Sequence, residues 1–115
     1  YEDLKELSLT ADCLITDYSS VAYDFLILRK PIFRICLDFE KYKQLRGVYD
    51  EFYQLPYGIC LSNEQAIEAV NRFSNEEYQI KLDDYFKINT MYDNGMASKH
   101  AADWIRSQLG IDDEF

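Results

Sequence analysis

Asp17-Tyr18-Ser19-Ser20 concentrates more chemistry than any other segment: a carboxylate, a phenol and two hydroxyls lie between the apolar run Cys13-Leu14-Ile15-Thr16 and the apolar stretch Val21 to Leu28. Where a strand gives way to a helix at such a turn, hydroxyls and the amides of the first helical turn point to one spot, and the helix dipole favours an anion there. A diphosphate could be cradled in this way without a lysine. The same residues also read as plain structure, with Ser19 or Ser20 capping the helix and Asp17 closing the turn. Residue types alone leave both readings open. Hydrolysis through either serine has little support, because no Gly-x-Ser-x-Gly elbow surrounds them and the one histidine, His100, is far along the chain.

Other groups carry weaker signals. Tyr42, Tyr49, Phe52, Tyr53 and Tyr57 each offer a ring face on which a nucleobase could stack, although aromatics at this density are mostly packing. Asp38, Glu40, Asp50 and Glu51 lie among lysines and read as a solvated face rather than a metal site. His100 has nothing in its sequence surroundings to orient it as a base and is not assigned a catalytic role.

The elements that must position the turn follow from periodicity. Asp3–Thr10 fits the end of an amphipathic helix. Cys13–Thr16 lacks polar alternation, the pattern of a strand buried on both faces. Val21–Leu28 is helical in length and ends at Lys30-Pro31, and Ile32–Cys36 supplies a second strand. Asp38–Leu45 reads as a short helix, and Arg46–Gly58 as a long irregular connection rich in aromatics. Ile59–Ser62 is a third strand. Ser62 or Asn63 caps a helix with the apolar stripe Ala66, Ile67, Ala69, Val70 and Phe73. A helix over Glu76–Asn89 presents Tyr78, Leu82, Tyr85 and Phe86; a loop over Met91–Met96 follows, and a closing helix over Ala97–Leu109 stops at Gly110. The alternation predicts an α/β fold, a parallel-sheet, Rossmann-like three-layer unit. Ligands in such sheets bind at the carboxyl ends of the strands, where Asp17–Ser20 lies.

The whole chain, residues 1–115, reads as one domain. Three strands make a small sheet with two open edges, so the chain is expected to be a piece of a larger domain. Twelve Lys and Arg against 21 Asp and Glu leave a net charge of −9, which disfavours nucleic acid as a partner and requires any bound phosphate to be held by local groups. No apolar run is long enough to span a bilayer. Cys13, Cys36 and Cys60 are widely spaced in short apolar runs and are expected to be buried thiols rather than metal ligands or disulfides.

Residues 11–32, 39–58 and 92–105 together resemble, in order and spacing, the C-terminal part of the donor-binding domain of the CDP-glycerol glycerophosphotransferase family, the teichoic acid primases and polymerases. The resemblance implies two Rossmann-like domains in the GT-B arrangement. It also implies transfer of glycerol phosphate from CDP-glycerol, or a related CDP-polyol, to a hydroxyl of a growing polymer on a lipid carrier, with release of CMP. No cofactor or metal is expected. The parent would be cytoplasmic, peripheral at the inner face of the cell membrane through parts outside this chain, and its catalytic base would lie upstream. The resemblance places the donor diphosphate over Asp17, Ser19 and Ser20, with Thr16 as an extra donor. Arg46, in a pattern of the form Arg-Gly-x-Tyr, would face a phosphate, with Val48 in place of the commoner aromatic. Residues Asp93 to Ser98 resemble the family's Asp-Gly-x-Ala-Ser segment with one residue added, making Asp93 and Ser98 possible donor-binding residues and Ser98 a cap for the last helix.

Two other function classes compete. A sugar-nucleotide glycosyltransferase of the same GT-B architecture would share the turn, but its usual paired-glutamate segment is not evident here. A non-catalytic α/β interaction domain would bind no nucleotide. The polyol, glycerol or ribitol, is not specified by these residues.

Overall fold

The computed structural model describes residues 3–91 and 94–110. The chain runs α1 (Leu4–Thr10), β1 (Leu14–Thr16), α2 (Val21–Ile27), β2 (Ile32–Ile35), α3 (Phe39–Arg46), α4 (Glu51–Gln54), β3 (Ile59–Cys60), α5 (Asn63–Asn71), α6 (Asn75–Ile88) and α7 (Ala97–Leu109). The three strands are parallel in the order β1-β2-β3, with Thr16 beside Arg34 and Arg34 beside Ile59. The expected α/β class and strand count are present. One element was not expected: α4 lies inside the aromatic connection, a single turn too short to announce itself by periodicity.

Local chemistry explains the helix ends. Asp3 accepts from the Lys5 amide to start α1, and the Ser62 and Ser74 hydroxyls accept from the Gln65 and Glu77 amides to start α5 and α6. The chain leaves α2 through Arg29 at φ +57°, with the Arg29 amide bonded to Leu26 O and the Lys30 amide to Phe25 O. These two bonds form a Schellman closure with arginine where glycine is usual. The Arg29 backbone is held there by α6: Gln79 Nε2 donates to its carbonyl, while its guanidinium donates to Gln79 and pairs with Asp83 at 2.6 Å.

Ala22, Phe25 and Leu26 of α2, Ile32 of β2, Tyr57, and Tyr78 and Leu82 of α6 form the core on one face of the sheet. On the other face Phe33 meets Phe73 edge-on at 5.6 Å, and α5 packs over β2 and β3. Helices thus cover both faces of β2, giving the expected three layers there. At β1 the expectation of a strand buried on both faces fails. Ile15 is 62% exposed, because β1 is an edge strand and no described element covers that side. Cys36 and Cys60 are buried, and burial pushes both thiols up, but Cys13 is exposed. The α5 stripe is also narrower than expected: Ala66 is buried and Phe73 half-buried, while Ile67 and Val70 face solvent. Helix α7 stops at Gly110 in the left-handed region, as expected, and buries none of its residues.

Lys30 ties the first helix to this core. Its Nζ donates to the carbonyls of Ser8, Leu9 and Ala11 at 2.9, 2.7 and 2.7 Å, closing the C-terminal end of α1, while its own carbonyl accepts from the buried Tyr78 hydroxyl. Lys30→Met keeps the aliphatic stem and removes three charge-assisted bonds. It is expected to lower the unfolding free energy by about 2 kcal/mol in urea denaturation. A change below about 0.5 kcal/mol would show that water replaces the ammonium without loss.

Candidate phosphate-binding turn

The turn Asp17–Ser20 leaves the carboxyl end of β1 and enters α2. Asp17, Ser19 and Ser20 are exposed, whereas Thr16 and Tyr18 are half-buried. Asp17 Oδ1 accepts from the Ser19 amide at 3.2 Å, and Ser19 Oγ accepts weakly from the Val21 amide at 3.4 Å. The Ala22 and Tyr23 amides bond to the carbonyls of Ser19 and Ser20. The turn therefore uses several of the amides that an anion would need. Asp17 does so by closing the turn, and its negative charge would repel a phosphate placed directly over it. Ser20 occupies the N-cap position yet makes no side-chain capping bond. Its exposed hydroxyl is the most available donor in the turn, followed by the Ser19 hydroxyl proton.

Tyr18 points the other way. Its ring stacks on Tyr42 at 3.6 Å and 5°, and its hydroxyl donates to Asp38 Oδ1 at 2.9 Å. Burial, reinforced by Asp38, holds this phenol well above its ordinary value, so it stays a neutral donor. The bond occupies the Asp38 carboxylate, which makes no capping bond to α3. Tyr18 was not singled out from the sequence; its place inside the turn motif was the available signal.

Arg46 ends α3, and Gly47 at φ +73° lets the chain leave the helix with its amide on Lys43 O. Arg46 lines a hollow of about 340 Å³ with Tyr18, Tyr42, Val48, Tyr49 and Phe52. The structure thus brings Arg46 and the turn's Tyr18 to one hollow, with Ser19 and Ser20 outside its lining. Of the five aromatic candidates, Tyr57 is in the core, Tyr42 is covered by Tyr18, and Phe52 and Tyr53 pack against Phe39. Tyr49, 87% exposed, is the most exposed of the five.

Ser98 does not cap α7. Met96 holds the N-cap position and Ser98 lies within the first turn, exposed and away from the Arg46 hollow. Asp93 lies outside the described residues. His100 is exposed on α7.

The chain is similar to proteins of one family. Residues 1–107 match the family model described as CDP-Glycerol:Poly(glycerophosphate) glycerophosphotransferase. The chain is 38% identical over 120 residues to the teichoic acid poly(glycerol phosphate) polymerase of Staphylococcus epidermidis, covering 95% of this chain and 16% of that protein. It is 40% identical over 84 residues to the polymerase of the same name from Bacillus subtilis, covering 71% of this chain and 11% of that one. A structure of the wall teichoic acid polymerase TagF, a variant soaked with CDPG, superimposes with TM-score 0.70 at 36% identity, covering 96% of this chain and 28% of that chain. This chain therefore spans well under a third of the relatives it matches. With a family match along nearly its whole length and the same α/β architecture at 36% identity, the chain belongs to the CDP-glycerol:poly(glycerophosphate) glycerophosphotransferase family.

Proposed function

We propose that this chain is the C-terminal portion of the donor-binding domain of a GT-B transferase that moves glycerol phosphate from CDP-glycerol to a hydroxyl of a growing teichoic acid-like polymer and releases CMP. The observation that carries the reading is that Arg46 and Tyr18 line one hollow at the carboxyl end of the sheet, with the exposed Ser19 and Ser20 following Tyr18 in the turn. The acceptor hydroxyl attacks the phosphorus that bears glycerol, and the bond to the CMP oxygen breaks with its electron pair leaving on CMP. Charge that builds on the departing phosphate is met by the Ser19 and Ser20 hydroxyls and by Arg46, with Thr16 as a further donor. Asp17 shapes the turn rather than touching phosphate. The base that takes the acceptor proton lies elsewhere in the parent, and Asp93 and Ser98 are further donor-binding residues in this reading.

The free edge of β1, with Ile15 bare, suits pairing with further strands of the same sheet in the parent. The acceptor on a lipid carrier and a peripheral position at the inner membrane face belong to this reading. Among the described residues no helix is long and apolar enough to cross a membrane.

The test is a titration of the full-length protein, isotopically labelled in this segment, with CDP-glycerol, CDP-ribitol, CMP and a UDP-sugar. Amide shifts at Ser19, Ser20, Val21 and Arg46 with the cytidine diphosphate donors alone are the expected result, and the stronger of the two donors names the polyol. A response confined to the UDP-sugar would instead identify a glycosyltransferase. No response to any nucleotide would leave an interaction domain.

A further inference from the structure

Arg34 stands in the middle of the sheet, on β2 between Thr16 and Ile59, and is 3% exposed. Among the described residues no carboxylate pairs with it, and burial lowers its pKa. Its guanidinium lies over the rings of Phe52 at 3.9 Å and Tyr57 at 4.8 Å, and Nη2 donates to the carbonyls of Phe52 and Tyr57 at 2.9 and 3.3 Å. Nε and Nη1 are buried without a hydrogen-bond partner. A buried cation satisfied so incompletely adds little to stability, and an apolar side chain of similar volume would serve the fold about as well. What the arginine supplies is a hold on one segment. Helix α4 is a single turn that cannot satisfy its own carbonyls, and Arg34 bonds to one of them and to Tyr57 beyond it. Phe52 under the cation stacks in turn toward Tyr18 at 6.1 Å, and Tyr18 covers Tyr42.

We propose that Arg34 is a positioning residue: from inside the sheet it fixes the segment 47–57 against Tyr18 and so sets the shape of the hollow that Arg46 lines. This rests on the proposed function, since the hollow matters only if the donor enters it.

The experiment compares wild type with Arg34→Met in the full-length protein, using CDP-glycerol as donor and limited chymotrypsin digestion as a readout that needs no donor. The variant should raise KM for CDP-glycerol about tenfold with kcat within about twofold. Its thermal midpoint should stay within about 5 °C of wild type. Cleavage after Tyr49 and Tyr53 should become about tenfold faster while cleavage within α6 is unchanged. Both KM and local cleavage must move. An unchanged KM, an unchanged cleavage pattern, or faster cleavage throughout the chain would each overturn the proposal. Should Arg34→Met fail to fold, Phe52→Leu decides, because it keeps both carbonyl bonds and removes the ring that joins Arg34 to Tyr18: a KM rise of several-fold supports the proposal and an unchanged KM overturns it. If wild type takes no CDP-glycerol, the functional reading falls by itself; faster cleavage after Tyr49 and Tyr53 in Arg34→Met would still support the hold of Arg34 on the segment, and unchanged cleavage would refute it.

Discussion

Ser19→Ala combined with Ser20→Ala in the full-length protein should lower kcat/KM for the CDP-glycerol donor by about a hundredfold, the usual loss when a donor to developing charge is removed. Stability should fall by less than about 1 kcal/mol, because neither hydroxyl does much for the helix. Ser20 makes no capping bond, and the one bond that the Ser19 hydroxyl accepts is long, at 3.4 Å from the Val21 amide. This asymmetry separates the two readings that the residue types left open. A capping role predicts lost stability with activity lost in proportion to unfolding; a cradle predicts lost activity in a folded protein. Steady-state transfer assays paired with urea unfolding of the same variant distinguish them. Wild-type transfer rates in a stably folded double variant would remove the cradle altogether.

What could be read from the sequence was whatever is decided locally. The order strand, turn, helix around Asp17–Ser20 follows from residue types a few positions apart, as do the cap at Ser62 and the stop at Gly110. Burial was legible only where the covering element is also in the chain. Tyr78 and Leu82 were expected to face inward and do, because α2 and β2 are there to receive them. Ile15, Ile67, Val70 and Cys13 have the same apolar character and remain exposed, because apolar character shows that a surface suits burial without supplying its partner.

The site was legible in its motif and not in its support. The turn and Arg46 stood out by type and spacing, yet that they flank one hollow depends on α3 and α4 folding back over the carboxyl end of the sheet. Tyr18 was given no role beside the two serines, and its stack on Tyr42 joins residues 24 positions apart. Arg34 was the least visible. An arginine within Ile32–Cys36 gives no local sign that it points inward, and a buried arginine without a carboxylate goes against the ordinary distribution of charge.

Leu26→Ala should be the most destabilising single truncation, lowering the unfolding free energy by about 3–5 kcal/mol. Leu26 is fully buried and packs among Phe25, Ile32, Tyr57, Tyr78 and Leu82, which come from both helices, the central strand and the loop before β3, so the cavity cannot close by moving one element. Set against the roughly 5–15 kcal/mol that holds a typical domain folded, such a loss takes much of the margin. Ile67→Ala is the matched control. At 63% exposure on α5 it should cost less than about 1 kcal/mol in this chain. Urea unfolding with a constant m-value measures both, and a Leu26→Ala loss under about 1 kcal/mol would show that the α2–α6 cluster is not the core. The control carries a second consequence. If the outer face of α5 is covered by the rest of the parent, Ile67→Ala should become markedly more costly in the full-length protein than in this chain, while the loss at Leu26, already complete here, should stay the same.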